Sequence, residues 1–338
     1  MVQQRHRRRP LLVGVDSGGT STRAIVFDEE LEIVGVAASG GGNRWSSGGK
    51  PWETICDVIE AALPDGAGSD VCAAAIGVSS SLGSGVHDLS SLGISCIPMI
   101  VDDSHIAFVA GSDASDGLLL IAGTGAGCFT FRSWSCVHQV DGHGWLFGDK
   151  GSAVWIGRMA IEAALEALDG RGPQTALEQV VATDLRVPLD QPARAVCNQL
   201  TCAQMERSPS SLGNLAHTVI DLADRDEVAA RIVKSAVDHL VATVRTAIRH
   251  DDLQFADLIT CGSVAGSAIV FEQLRTDVGI HFDMQVLHVR DGVAGAVLLA
   301  LRQRGRTVSP QARAHLFATV DTLREGGWKL PGNSTTTR

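Results

Sequence analysis

Long apolar runs are missing from this chain. Its apolar stretches are broken by Gly, Asp or Ser within about ten residues, well short of the roughly 20 that a bilayer-spanning helix requires. Positive charge is also scarce: 28 Lys and Arg stand against 38 Asp and Glu, a net charge of -10, which argues against nucleic acid as the main partner. The eight cysteines (Cys56, Cys72, Cys96, Cys128, Cys136, Cys197, Cys202 and Cys261) contain no C-x-x-C pair. Metal sites and disulfide frameworks space their cysteines more regularly, so buried free thiols in a reducing cytoplasm are expected. The phosphate-loop pattern G-x-x-x-x-G-K-[ST] is absent. So is the dinucleotide fingerprint, because the glycines after the first strand lead into a second strand and not a helix.

What is present is a globular composition: 338 residues, 45% hydrophobic and 20% charged, with 37 glycines clustered between apolar runs. That size favours two domains. The expected division is a basic tail (1–10), an N-terminal domain (11–113), a C-terminal domain with a helical insertion (114–304), and a C-terminal helix with a polar tail (305–338). The cluster Arg5-His6-Arg7-Arg8-Arg9 reads as a solvated tail and not as a signal peptide, since no apolar stretch of helical length follows it.

Residues 11–16, 21–28, 31–38, 71–78 and 96–101 read as strands, with a helix over 51–63 that has Pro51 in its first turn. The pattern then restarts. LLVGVDSGGTSTRAIVF near the N-terminus and LLLIAGTGAGCFTFR from Leu118 share one order of strand, Gly/Thr turn, strand. Such a repeat predicts two similar domains facing each other across a cleft. Helices are expected over 151–168, 212–223, 227–248, 265–278 and 293–304, and strands over 255–260 and 281–289.

Five stretches carry candidate chemistry. In Asp16-Ser17-Gly18-Gly19-Thr20, glycines let backbone N–H groups approach phosphate oxygens, Thr20 adds a hydroxyl, and Asp16 at a strand end suits hydrated Mg2+. An ordinary glycine-rich hairpin is the alternative. Gly123-Thr124-Gly125 is a second such turn, and its significance lies in the pairing of the two. In Ile100-Val101-Asp102-Asp103, carboxylates close a buried strand, where α/β sheets bind ligands; Asp103 there can accept a hydroxyl proton, with helix capping as the other role. The run Asp141 to Ser152 (DGHGWLFGDKGS) offers Asp149 to polyol hydroxyls and glycine backbone at Gly142 and Gly144, whereas His143 and Trp145 read more simply as loop packing. Gly262-Ser263-Val264-Ala265-Gly266-Ser267 allows flat contact with a nucleotide, or is merely a strand-to-helix turn.

In order and spacing, these stretches together with Gly42-Asn43-Arg44-Trp45 resemble the N-acetylglucosamine kinase group of the BadF/BadG/BcrA/BcrD ATPase family, over roughly Leu11 to Leu301. The most specific piece is Gly-Asp-x-Gly-Ser (148–152) with Trp155. The resemblance implies an α/β, actin-like (ribonuclease H-like) fold with two similar domains around a nucleotide and sugar cleft. It implies ATP and Mg2+ as cofactors and transfer of phosphate to an amino sugar, at the 6-OH. It further implies Asp103 as base, Asp16 near the metal, and Gly18, Gly19, Thr20, Thr124 and Gly125 at the phosphates. Gly262, Ser263 and Ser267 would lie near the nucleotide, and Asn43, Gly127, Gly142, His143, Gly144 and Asp149 at the sugar. The sequence departs from the family pattern at Ser17, Ala126, Gly127, His143 and Lys150. Gly127 stands where some members carry an Asn that contacts the N-acetyl group, so glucosamine, N-acetylglucosamine and N-acetylmuramic acid all stay open. A small sugar is the expected partner and the cytoplasm the expected location; nucleic acid and membrane are not expected, and a homodimer is a candidate assembly. Two other readings stand beside the kinase. One is an activator ATPase sharing an iron–sulfur cluster, which Cys128 without a neighbouring cysteine disfavours. The other is a non-catalytic sugar sensor.

Overall fold

The computed structural model describes residues 9–42, 47–79, 82, 87–251, 257–279 and 282–329. Contacts divide the chain into unit 1, residues 1–110 with 291–338, and unit 2, residues 111–290.

Unit 1 is built on five strands: β1 (Leu11–Ser17), β2 (Ser21–Asp28), β3 (Ile33–Gly40), β4 (Val71–Val78) and β5 (Met99–Asp102). Their spatial order is β3-β2-β1-β4-β5. β1, β2 and β3 form an antiparallel meander, and β4 and β5 continue parallel to β1. β1 is buried along its whole length, as its unbroken apolar run dictates for a central strand covered on both faces. Helix α1 (Pro51–Ala62) lays Ile55, Val58 and Ile59 on one face of the sheet, against Val13, Val15, Ala24 and Ile76. Helix α2 (Asp103–Gly111) follows β5 directly.

Unit 2 repeats the plan. β6 (Gly117–Ala122), β7 (Ala126–Arg132), β8 (Ser135–Asp141), β9 (Asp257–Cys261) and β10 (Gln285–Val289) lie in the order β8-β7-β6-β9-β10, with the same antiparallel and parallel senses. The strand-turn-strand repeat in the sequence therefore marks two sheets of one topology. Between β8 and β9 comes the helical insertion: α3 (Ala153–Leu168), α4 (Leu177–Leu185), α5 (Ala193–Met205), a 3-10 segment (Pro209–Leu215), α6 (Ala216–Leu222) and α7 (Glu227–Asp251). The sequence reading ran one helix over 212–223, where the structure has the 3-10 segment and α6. The contact that requires the tight turn is close: a Cβ on Gly157 of α3 would lie 1.8 Å from the Leu212 carbonyl oxygen. Helix α8 (Ala268–Leu274) ends in a π turn, Arg275–Gly279, shortening the helix expected over 265–278.

The expected domain boundary at 304 moves to 290. Helix α9 (Val293–Gln303) is buried on nearly every face because it packs on β1 and β4 of unit 1. A Cβ on Gly14 of β1 would lie 2.8 Å from the Val297 nitrogen, and one on Gly295 would lie 1.8 Å from the Ile106 carbonyl oxygen of α2. Sequence adjacency placed α9 with unit 2; its uniformly apolar surface belongs to the interior of unit 1. Helix α10 (Pro310–Glu325) completes this unit, and Arg313 donates to the Val109 and Ala110 carbonyls at 3.0 and 2.7 Å, satisfying the free C-terminal carbonyls of α2. The cysteines also depart from expectation. Cys128 and Cys261 are buried, but Cys136 and Cys202 are exposed and the others among the eight are half-buried.

Gly295→Ala forces a methyl group into the α2 backbone. It should destabilise the protein by about 1–3 kcal/mol, as overpacking of a filled interior does. A fall in the urea midpoint measures it.

Candidate functional site

The predicted residues fall into two clusters, one in each unit. In unit 1, β1, β4 and β5 run parallel, so their carboxyl ends share one edge of the sheet, the edge at which α/β sheets present ligand-binding groups. Asp16 is the penultimate residue of β1, and Asp103 opens α2 immediately after β5. Asp16 is only 7% exposed, and one carboxylate oxygen accepts the Gly292 N–H at 3.0 Å. Burial pushes its carboxyl up to about 6; Asp291 adds to the rise, while Arg23, the Gly292 N–H and Arg324 oppose it. Asp103 is pushed up to about 7, first by burial and then by the charge of Asp16, against the Ser104 N–H. The charge of Asp16 is thus felt at Asp103. Asp102, the last residue of β5, is exposed, and its charge adds a smaller rise at Asp103.

Between β1 and β2 lies the turn Gly18-Gly19-Thr20. Gly18 N–H donates to Ser21 O at 2.9 Å and Gly18 O accepts Gly42 N–H at 3.0 Å, which fixes the turn, and Thr20 is exposed at its tip. Asn43 and the neighbouring Arg44 and Trp45 lie outside the described residues.

In unit 2 the turn Gly123-Thr124-Gly125 is a point of convergence. Gly123 N–H donates to Gly125 O at 2.9 Å, and Gly123 O accepts Ala153 N–H at 2.8 Å, which joins the turn to the start of α3. Ser152 caps α3 through Trp155 N–H at 3.1 Å. This accounts locally for the Gly-Ser-x-x-Trp spacing. A Cβ on Gly125 would lie 3.1 Å from an Asp149 carboxylate oxygen, and one on Gly127 would lie 3.3 Å from Gly142 N. On the other side of the turn, Val264 and Ala265 N–H groups both donate to Ala122 O at 3.0 Å. Gly262 holds φ at +103° with its Cα against Gly123, a conformation and a closeness that only glycine tolerates. Thr124, Gly125, Gly127, Gly142, Asp149 and Gly262 therefore surround one turn. Ser263 is exposed beside it. Ser267 occupies the position before α8, but its hydroxyl donates back to Val264 O at 2.8 Å and does not cap the helix.

Asp149 is not the helix cap that the sequence allowed; Ser152 has that role. Asp149 sits at φ +55° and is half-buried, and burial raises its carboxyl while the N–H groups of Ala126 and Gly144 oppose the rise. His143 is exposed. So are Trp145, Leu146 and Phe147, against the expectation that the tryptophan packs inward.

Asp141 is the residue that motif reasoning missed. Its carboxylate accepts three backbone N–H groups, from Gly142 at 2.8 Å, Asp149 at 2.9 Å and Lys150 at 3.1 Å. The loop 142–150 is thereby knotted at its base, and Asp149 is aimed by it. The only sequence signal for this role was an Asp ahead of a glycine-rich loop, the same as for any turn. Asp291 and its partners were missed for a different reason, since nothing local marks a residue whose role is set by β1.

Among the described residues, no group of three or more His, Cys, Asp or Glu side chains could hold a metal ion. A cation at Asp16 would therefore be held by carboxylate, phosphate and water, the oxygen set that Mg2+ prefers.

A sequence profile described as the BadF/BadG/BcrA/BcrD ATPase family matches residues 13–300. Among relatives, an N-acetylmuramic acid/N-acetylglucosamine kinase of Clostridium acetobutylicum is 24% identical over 306 residues, covering 86% of this chain and 97% of its own. An N-acetyl-D-glucosamine kinase of Dictyostelium discoideum is 24% identical over 324 residues, covering 88% and 99%. Among solved structures, a Chromobacterium violaceum protein provisionally assigned as an N-acetylglucosamine kinase superposes with a TM-score of 0.67 at 23% identity, over 86% of this chain and 99% of the other. A glucokinase of the ROK family from Streptomyces griseus, in complex with glucose and AMPPNP, reaches 0.54 at 18% identity, over 87% and 99%. These likenesses show the fold: α/β, built as two domains.

Asp141→Ala should release the loop without unfolding the sheet. Amide hydrogen exchange at Gly142, Asp149 and Lys150 is expected to speed up by roughly tenfold or more each, since a hydrogen bond to a charged acceptor contributes about 1.5–3 kcal/mol. Exchange in β6 and β9 should stay unchanged.

Proposed function

The chain belongs to the BadF/BadG/BcrA/BcrD ATPase family, and from that premise we propose that it is a kinase that transfers the γ-phosphoryl group of ATP to an amino sugar, at the 6-OH. The observation that carries this reading is the pair of neighbouring carboxylates, Asp16 and Asp103, at the carboxyl edge of the unit 1 sheet, with the Asp103 carboxyl raised to about 7. A base poised near neutrality is suited to take a proton from a hydroxyl. Both kinases named among the relatives act on N-acetylglucosamine by name, which supports an amino sugar as the acceptor class.

In this reading Asp103 accepts the hydroxyl proton as the sugar oxygen forms its bond to the γ-phosphorus. The bond from that phosphorus to the bridging oxygen breaks, and ADP leaves with the electron pair. Thr20, Thr124 and the N–H groups of Gly19 and Gly125 hold phosphate oxygens, with Gly18 shaping the turn, while Gly262, Ser263 and Ser267 face the nucleoside. Asn43, Gly127, Gly142, His143, Gly144 and Asp149 hold the sugar, with Asp149 accepting hydroxyl protons in hydrogen bonds. Asp16 would hold Mg2+ bound with the nucleotide, which would supply positive charge to the phosphates. Gly127, having no side chain, offers no amide to an N-acetyl group, so glucosamine is as good a candidate as its acetylated forms.

An ATP-coupled assay over glucosamine, N-acetylglucosamine, N-acetylmuramic acid, N-acetylmannosamine and glucose tests the reading. Turnover with one amino sugar well above glucose is expected, and no turnover with any of them refutes it. Asp103→Asn should lower kcat by roughly 10²–10⁴-fold, the usual contribution of general acid–base catalysis, with sugar affinity retained in calorimetry. Wild-type kcat should fall as pH drops through about 7, because protonated Asp103 cannot accept a proton. Stability carries the opposite sign. Since the folded value lies above the ordinary carboxyl value of 3.8, ionising Asp103 costs the native state stability as pH rises from about 4 to about 7. Asp103→Asn should therefore melt higher than wild type above pH 7, with the gap closing toward pH 4.

A further inference from the structure

The carboxyl-edge cluster of unit 1 reaches past the residues assigned above. Asp291, the first residue after the chain returns to this unit, is 7% exposed. Its Oδ2 accepts two donors from one guanidinium, Arg324 Nη2 at 2.7 Å and Nε at 3.2 Å, and Arg23 Nη1 stands 3.7 Å away. Its Oδ1 accepts the Val293 N–H at 3.2 Å, so the carboxylate is held on both sides. The next residue, Gly292, donates its N–H to Asp16. Gly292 has no room to shift, because a Cβ there would lie 2.5 Å from the Ile106 side chain of α2, the helix that begins with Asp103. Arg324 is itself fixed. It also pairs with Asp321, and the chain beyond it turns back through Trp328, whose N–H donates to Leu323 O at 2.7 Å and whose ring lies 5.5 Å from the Arg23 guanidinium carbon.

Two buried carboxylates side by side are costly unless cations and N–H groups face them. In unit 1 the cations are Arg23 from β2 and Arg324 from α10, and the N–H groups are those of Gly292 and Val293. Arg324 lies beyond residue 300, where the family match ends. Its chain of contacts runs from guanidinium to Asp291, along one peptide to the Gly292 N–H, and onto the Asp16 carboxylate.

We propose that Arg324 is a positioning residue for Asp16, acting through Asp291 and the Gly292 N–H, and that the C-terminal helix α10 is thereby a working part of the metal–nucleotide site. This rests on the reading of Asp16 as the residue near the metal. The fork of Arg324 is required because it serves Asp291 with two nitrogens while keeping Asp321; a lysine ammonium at the same place serves as a single point of charge.

The test is calorimetric titration of the full-length protein with ADP in excess Mg2+ and again in EDTA, in wild type, Arg324→Met and Arg324→Lys. The difference between the two titrations isolates the metal-dependent part of the affinity. Outer residues that orient metal-binding groups typically contribute 10–100-fold to metal affinity. Arg324→Met should lose roughly that factor from the metal-dependent part, with ADP affinity in EDTA changed less than about twofold and Arg324→Lys intermediate. A change confined to stability would lower the melting temperature and leave the ratio of the two affinities at its wild-type value, and that result overturns the proposal. If Arg324→Met does not fold, Arg324→Lys decides by the same ratio. Wild-type protein without any metal-dependent affinity overturns both this proposal and the reading of Asp16, whereas a normal ratio in a folded Arg324 variant overturns this proposal alone.

Discussion

Residues 16 and 292 are joined by one buried hydrogen bond, from the Gly292 N–H to the Asp16 carboxylate. Much of unit 1 follows from it. A carboxylate at the end of a central strand costs several kcal/mol to bury unless its surroundings replace water. The replacement comes from three separate stretches: Arg23 on β2, the N–H of Gly292, and Arg324 near the end of α10. The strand that presents Asp16 is also the one on which α9 lies, with Gly14 and Gly295 admitting the helix closely. Packing and electrostatics therefore impose the same requirement, that residues 291–325, far along the chain, return to the first strand. A site made this way is rigid because it is over-determined.

The two sheets share a topology but gather different groups at their first turns. In each, a three-residue connection joins the first two strands, residues 18–20 in unit 1 and 123–125 in unit 2. Around the first connection the acidic groups lie in the interior, shielded and with raised pKa values. Around the second, glycines bring three backbone segments together, and two half-buried carboxylates, Asp141 and Asp149, are held by N–H groups. The first connection thus gathers buried charge, and the second gathers closely packed backbone.

Much of this was readable from residues alone. The Gly/Thr turns, the strands that flank them, and the placement of Asp16 and Asp103 at strand ends all follow from local pattern, because apolar runs and glycine turns are short-range signals. The residues that escaped detection are those whose roles depend on distant partners. Asp141 organises its loop by accepting N–H groups up to nine residues away, and acceptance of backbone donors leaves no motif. Asp291 looks like any turn residue until β1 is brought beside it. Helix α9 follows unit 2 in the chain, and only its all-round burial shows that it belongs to unit 1. Ser267 was readable as a nucleotide contact or as a cap, and the structure shows its hydroxyl turned back on Val264. Asn43, assigned to the sugar by resemblance, lies outside the described residues.

The discontinuity of unit 1 has a consequence for how the protein is made. Residues 111–290 form the intervening unit, so a ribosome that has finished the first sheet must add 290 − 110 = 180 residues before α9 begins to emerge. At about 5–20 residues per second this takes roughly 10–40 s. Throughout that interval the face of β1 and β4 destined for α9 has no native cover, and Asp16 has neither Gly292 nor Arg324 beside it. Unit 2, being continuous, can close while its neighbour waits. The nascent chain therefore carries an open apolar sheet for much of its synthesis, the kind of surface that chaperones hold.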